Sequence, residues 1–199
     1  MLKKVKLITT MRLMKLQKVL FAVAVIAIAG CGSAKESNSL FNDADAMFAQ
    51  MMIPHHEQAI VLAEIAENPT SGASPEVTSL AAQIKSAQGP EVELMKSFLT
   101  QWDEPVVDPG SMDHGSMDHG SKMKGMLSAE ELAKLSTLSG KVFDKEWMLA
   151  MIAHHEGAIE MARTVEQSGK NLEVQALAKT IISDQQVEID QMKSMLANL

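Results

Sequence analysis

Six histidines stand in this chain as three pairs and nowhere else: His55 with His56, His114 with His119, and His154 with His155. Sixteen methionines accompany them, and there is a single cysteine. Thioether sulfur is a soft donor suited to Cu(I), and imidazole suits Cu(II). Neither is a natural ligand for magnesium or calcium. One cysteine excludes an internal disulfide framework and any cysteine-based zinc site. Sharper catalytic patterns are missing. His56-Glu57-Gln58-Ala59-Ile60 lacks the second histidine of a zinc protease. The residues three before the helical histidines are Met52, Ile53, Met151 and Ile152, so the Glu-x-x-His pattern of di-iron bundles is absent. There is no glycine-rich phosphate loop and no Gly-x-Ser-x-Gly elbow.

The pair His114 and His119 sits in a repeat, Met112-Asp113-His114 followed by Met117-Asp118-His119, with Met123 and Met126 beyond. A methionine in a polar, glycine-serine-rich stretch gains nothing from packing. Short histidine-rich tracts bind metals, so Met112, His114, Met117 and His119 are candidate ligands of a flexible capture site. The other two pairs fall in apolar, helix-periodic segments. On a helical wheel His56 lies about 20° from Asp45, within the apolar face, and His55 about 80° to its flank. His155 and His154 repeat this arrangement. Met52 and His56 are four residues apart, as are Met51 and His55, while Met148, Met151 and His155 share a face. Two readings stay open for the helical pairs. They are soft-metal ligands with neighbouring methionines, or core histidines hydrogen-bonded to Gln88, Glu91, Gln185 or Glu188 of the facing helices. Met95, Met161, Met192 and Met195 read as packing residues.

The positioning elements come from a duplication. Residues 45–67 and 144–166 agree at 10 of 23 positions, and residues 77–99 and 174–196 at 11 of 23. Each copy reads as two helices. Asp45, Phe48, Met52, His56, Ala59 and Ala63 step by three and four along one face. Asn68 to Gly72 ends the first helix, and Ser74-Pro75 opens the second with a cap and a first-position proline. Ser168 to Asn171 does the same in the second copy, and Ser128 to Glu131 is a capping box for a short extra helix. Gly89-Pro90 stands mid-helix in the first copy only and is expected to bend or break it. Residues 103–126 read as a disordered linker. The expected fold is all-α, a four-helix bundle of two repeated helical hairpins.

The amino terminus reads as an address. Residues 1–18 are basic and residues 19–29 are continuously apolar, too short for a membrane span of roughly 20 residues. Ile28-Ala29-Gly30-Cys31 resembles a bacterial lipobox, which makes Cys31 the lipidated first residue of a mature protein. Met11 and Met14 are alternative starts. The expected organisation is a signal peptide at 1–30, an anchored tether at 31–40, a first hairpin at 41–102, the Met/His-rich linker at 103–127 and a second hairpin at 128–199. The chain carries a net charge of −7, and all six basic residues of the leader lie in an acid-free stretch. So acidic a mature chain is a poor partner for nucleic acid.

Asp-x-x-Phe/Trp, then Met-Ile-x-His-His-Glu-x-Ala-Ile-x-x-Ala, then Leu-Ala-x-x-Ile followed by Gln-x-x-Glu-x-x-x-Met resemble domain-of-unknown-function family 305, over residues 41–101 and 139–197. The resemblance implies a ferritin-like four-helix fold and, as in some members, periplasmic copper binding. It implies Met52, His55, His56, Met151, His154 and His155 as copper ligands. Pro54, where the second copy has Ala153, and Gly89-Pro90 are departures within the first copy. The reading that follows is a lipid-anchored protein of the bacterial cell envelope that sequesters or relays Cu(I) or Cu(II) rather than transforming a substrate. Its partners would be copper ions, the membrane through its lipid, and a metal-exchange protein or a second copy. A structural or interaction module without metal, and a metalloenzyme built in the bundle, are the alternatives.

Overall fold

The structure, a computed structural model, describes residues 40–106 and 123–199. Among them there are five α-helices and no strand: α1 (Asp43–Glu67), α2 (Pro75–Trp102), α3 (Ala129–Ser136), α4 (Gly140–Ser168) and α5 (Leu172–Ala197), with a 3-10 turn at Pro69–Ser71. Four of the five begin at a side-chain cap. Asn42 and Asp45 form a reciprocal capping box on α1, Ser74 caps α2 ahead of Pro75, Ser128 and Glu131 box α3, and the Asn171 side chain accepts two backbone N–H groups of α5. Such caps satisfy donors that the first helical turn leaves bare, and each contributes about 1 kcal/mol. Between α1 and α2 the chain reverses through Gly72, whose φ of +54° is the left-handed conformation glycine tolerates.

Proline 90 does not break α2, which runs unbroken from Pro75 to Trp102. Pro90 and Ser86, whose carbonyl loses its helical donor, both lie on the exposed side. The freed acceptor therefore faces solvent instead of the core, which lowers the cost. Pro54 likewise sits inside α1.

Helices α1 and α2 form one hairpin, α4 and α5 the other, and α1 packs on α4 between them. Two apolar cores result. One takes α1 up to Ile53, α2 from Val92, α4 from Ala158 and α5 up to Ile181. The other takes α1 from Ala59, α2 up to Ile84, α4 up to Ile152 with Ile159 beyond, and α5 from Ile189. Each of the four long helices thus contributes to both cores, while α3 adds Leu135 to the second alone. Burying a side chain such as Leu62, Leu99 or Met148 contributes about 1.5–3 kcal/mol. What separates the cores at the waist is polar, and it includes all four helical histidines.

Two carboxylates, Asp45 and Asp144, are buried and cross-link the hairpins. Asp45 accepts from the backbone N–H groups of Lys170 and Asn171, 2.9 and 3.0 Å away, in the loop that precedes α5. Its equivalent Asp144 accepts from Ser74 N–H at 3.1 Å, at the start of α2. Each hairpin thereby fastens the loop of the other. Trp147 adds a bond in one direction only, its indole N–H donating to the Leu62 carbonyl at 2.8 Å.

The end of the segment read as a linker is packed. Residues 123–127 run as a strap along α4, held by Gln58, which accepts from Leu127 N–H at 2.7 Å and donates to its carbonyl at 2.8 Å. The repeat Met112, His114, Met117 and His119 lies outside the described residues, as do Cys31 and the leader.

Candidate metal centre

The waist is built from the repeated motif. His55 and His56 sit mid-way along α1, His154 and His155 mid-way along α4, and all four are fully buried. Facing them from α2 and α5 are Gln88 and Glu91, then Gln185 and Glu188. The wheel put His55 on the flank of α1, but that flank is where α4 packs. The His55 and His154 rings lie against each other with centroids 3.8 Å apart and planes inclined by 40°.

Hydrogen bonds divide the four imidazoles. His56 Nε2 is 2.9 Å from Glu91 Oε2, and His155 Nε2 is 2.7 Å from Glu188 Oε2, so the duplication reproduces the same pair in each hairpin. His55 Nε2 is 3.2 Å from the Lys124 carbonyl of the strap. A carbonyl or carboxylate accepts here, so Nε2 of these three rings carries a hydrogen, and in a neutral ring Nδ1 is then the bare lone pair. Those Nδ1 atoms have no partner among the described residues, and both ring nitrogens of His154 lack one. The amides of Gln88 and Gln185 are also buried and unpartnered. Leaving such a group unsatisfied costs about 1–3 kcal/mol, so a waist with this many is a costly way merely to fill space.

Electrostatics keep the central pair neutral. Burial pushes His55 down from its ordinary value of 6.5 to about 3. The neighbouring His56 and, more weakly, His155 act in the same direction, while the bond to the Lys124 carbonyl opposes them. His154 is held well below the ordinary range by burial first, then by His55, His155 and His56. A neutral imidazole offers its lone pair to a metal without first losing a proton. A second ring nitrogen donated to a carboxylate or carbonyl is the arrangement that orients metal-binding histidines.

The methionines distribute unevenly. Met52 and Met95 are buried in one core, and Met148, Met151 and Met192 in the other. Met52 on α1 and Met148 and Met151 on α4, read from sequence as one Met/His constellation per helix, thus lie in different cores. No group of three or more His, Cys, Asp or Glu among the described residues is placed to hold a metal ion. A site built of such side chains alone is thus not formed among them.

The strap was the feature the sequence reading missed. It closes over the waist because two glycines let it approach. A Cβ on Gly157 would stand 2.0 Å from the Lys124 carbonyl, and one on Gly125 would stand 2.2 Å from the Ala153 carbonyl. The first-copy equivalent of Gly157 is Gln58, the residue that clamps the strap. A glycine in one repeat where the other has a long amide was the available signal.

The sequence profile of a domain of unknown function, DUF305, matches residues 45–196, essentially the whole described bundle. The chain belongs to the DUF305 family. Solved DUF305 structures resemble it closely. A DUF305 fragment from Deinococcus radiodurans is 32% identical, with a TM-score of 0.68, covering 79% of this chain and 98% of its own. A DUF305 protein from Streptomyces coelicolor, whose name presents it as secreted, is 30% identical with a TM-score of 0.66, covering 78% and 91%. CopM is similar in both a Cu(I)-bound form (33% identity, TM-score 0.62) and a Cu(II)-bound form (35%, 0.64), each covering 77% of this chain and 96% of CopM. Silver-bound forms of CopM match as well. No curated protein matches the chain significantly. The all-α bundle expected from the repeat is thus the fold of this family.

Proposed function

We propose that this DUF305 protein binds copper in the cell envelope and sequesters it or passes it on, without transforming a substrate. The observation that carries the reading is the waist: four buried imidazoles, the central pair held neutral, whose Nδ1 atoms have no hydrogen-bond partner among the described residues. Similarity to CopM, which binds Cu(I), Cu(II) and silver, supports copper as the cargo. His55, His56, His154 and His155 are the bundle ligands in this reading. Met52, Met148 and Met151 supply sulfur from the adjoining cores. Met112, His114, Met117 and His119 capture the ion before it reaches the bundle.

The leader and the Cys31 lipobox motif support export and lipid anchoring, and the secreted name of the Streptomyces relative agrees with export. No helix of the described residues is long and apolar enough to cross a membrane. Anchoring would then rest on lipid, with a copper-accepting protein or a second copy as the exchange partner.

The test is titration of the mature protein with Cu(I) against a competing chelator. At least one tightly held ion per chain is expected after Met112, His114, Met117 and His119 are all replaced by alanine. Stoichiometry near zero in the unmodified protein would overturn the reading. One observation favours a second reading, a structural module without metal: the His56–Glu91 and His155–Glu188 bonds already engage one nitrogen of each ring.

A further inference from the structure

The duplication creates two equivalent grooves between α1 and α4, one at each end of the bundle, and the chain treats them differently. At one end α3 and the strap lie across the groove. Leu135 is buried there in a cluster with Leu62, Ala66, Phe143 and Trp147, and Leu127, Leu132 and Leu138 pack against it. A cavity of about 800 Å³ remains between that cover and α4. At the other end the groove is lined by α1 and α4 alone, with a cleft of about 260 Å³.

Three methionines line that open cleft: Met47 and Met51 from α1, and Met161 from α4. Met47 and Met51 are one turn apart on the same helix, and Met161 faces them. Met47 is 57% exposed and Met51 is half-buried, while Met161 is half-buried at the margin of the adjoining core, so all three thioethers border the cleft. The fold does not require methionine at these places. The equivalent positions of the other copy are Glu146, Ala150 and Leu62. The remaining lining includes Phe48 and Val165, with Thr164 and Ser168 as its polar members and no carboxylate or amine.

We propose that Met47, Met51 and Met161 form a separate, thioether-only site for a soft monovalent cation, Cu(I) or Ag(I). Three neutral sulfur donors suit such an ion and give a hard cation or Cu(II) little to hold. Thioethers do not titrate, so binding at this site would not depend on pH through its ligands. Its position at the solvent-open end of the α1–α4 seam, whose middle holds His55 and His154, makes it a point of entry to the waist. The proposal rests on the copper-binding reading of the bundle.

The experiment is titration with Ag(I) of full-length protein labelled at the methionine methyl groups and at the histidine rings, with signals assigned through single Met→Leu variants. The methyl resonances of Met47, Met51 and Met161 are expected to shift together, saturating at one equivalent. The triple variant M47L/M51L/M161L is expected to hold one ion fewer per chain while keeping its Tm, since leucine conserves volume and apolarity. Unmoved methyls with responding histidines, or unchanged stoichiometry in the triple variant, would overturn the thioether site and leave the waist standing. Silence of methyls and imidazoles alike would overturn both.

Discussion

The two hairpins descend from one unit, yet they now divide the labour. Both keep Asp45 or Asp144 to fasten the opposite loop, and both keep the bond between histidine and glutamate across the hairpin. Around that shared frame the second copy has become the scaffold. It carries Trp147 with its bond to Leu62, Gly157 beneath the strap, and Ala150 under α3. The first has become the exposed partner, with Gln58 as the clamp and Met47 and Met51 facing an open cleft. The lesson is that duplication preserved the waist, where polar atoms face one another, and released the flanks. Conservation of form between copies marks the buried imidazoles, and divergence marks where the chain closes or opens access to them.

The comparison is most easily broken at the tryptophan. Trp147→Ala is expected to destabilise by about 4 kcal/mol, as large-to-small changes in a full core do. Its equivalent, Phe48→Ala, is expected to cost less because Phe48 holds no hydrogen bond across the hairpins. Urea denaturation of both variants checks the order, and equal losses would remove the asymmetry. Gly157→Ala is expected to cost about 3 kcal/mol through overpacking, since the Lys124 carbonyl occupies the Cβ position. The same experiment should show hydrogen exchange rising in residues 123–127, and an undisturbed strap would contradict the close contact.

Caps, helices, duplication and fold class were legible in the sequence because each depends on neighbours within a turn or on a pattern that repeats. Ser74-Pro75 and Ser128 with Glu131 announce helix starts locally. What stayed hidden depends on a second helix. His55 read as a flank residue because a wheel knows nothing of α4, and the partners of Asp45 and Asp144 could not be read because they lie 125 and 70 residues away in sequence. The strap read as disordered since Lys124-Gly125-Met126 has no periodicity, and its order comes from Gln58 and Gly157. For the site, the residue types were readable. The division of methionines between two cores was not.

The pH dependence follows from the central pair. An unfolded histidine titrates near 6.5, while His55 in the fold stays neutral to about 3. Between those values the unfolded chain binds more protons, so stability is complete above pH 6.5 and falls as the pH drops toward 3. The slope is up to about 1.4 kcal/mol per pH unit for His55, with His154 acting in the same direction. Urea midpoints of the metal-free protein between pH 7 and 4 measure it, and a flat profile would contradict neutral burial. The smallest effect is expected from Gln58→Ala, about 1–2 kcal/mol for two lost hydrogen bonds to Leu127. Because the strap also bonds His55, this variant should alter the rate of copper uptake more than its stoichiometry, a difference stopped-flow mixing with Cu(I) reads directly.

The most direct measurement is nitrogen NMR of histidine-labelled protein in which Met112, His114, Met117 and His119 are replaced by alanine, titrated with Cu(I) under anaerobic conditions. The account expects the Nδ1 resonances of the buried imidazoles to move as copper binds, while the Nε2–H bonds of His56 and His155 to their glutamates persist. Copper held by the bundle with all four imidazoles unmoved, or no copper held at all, would contradict it.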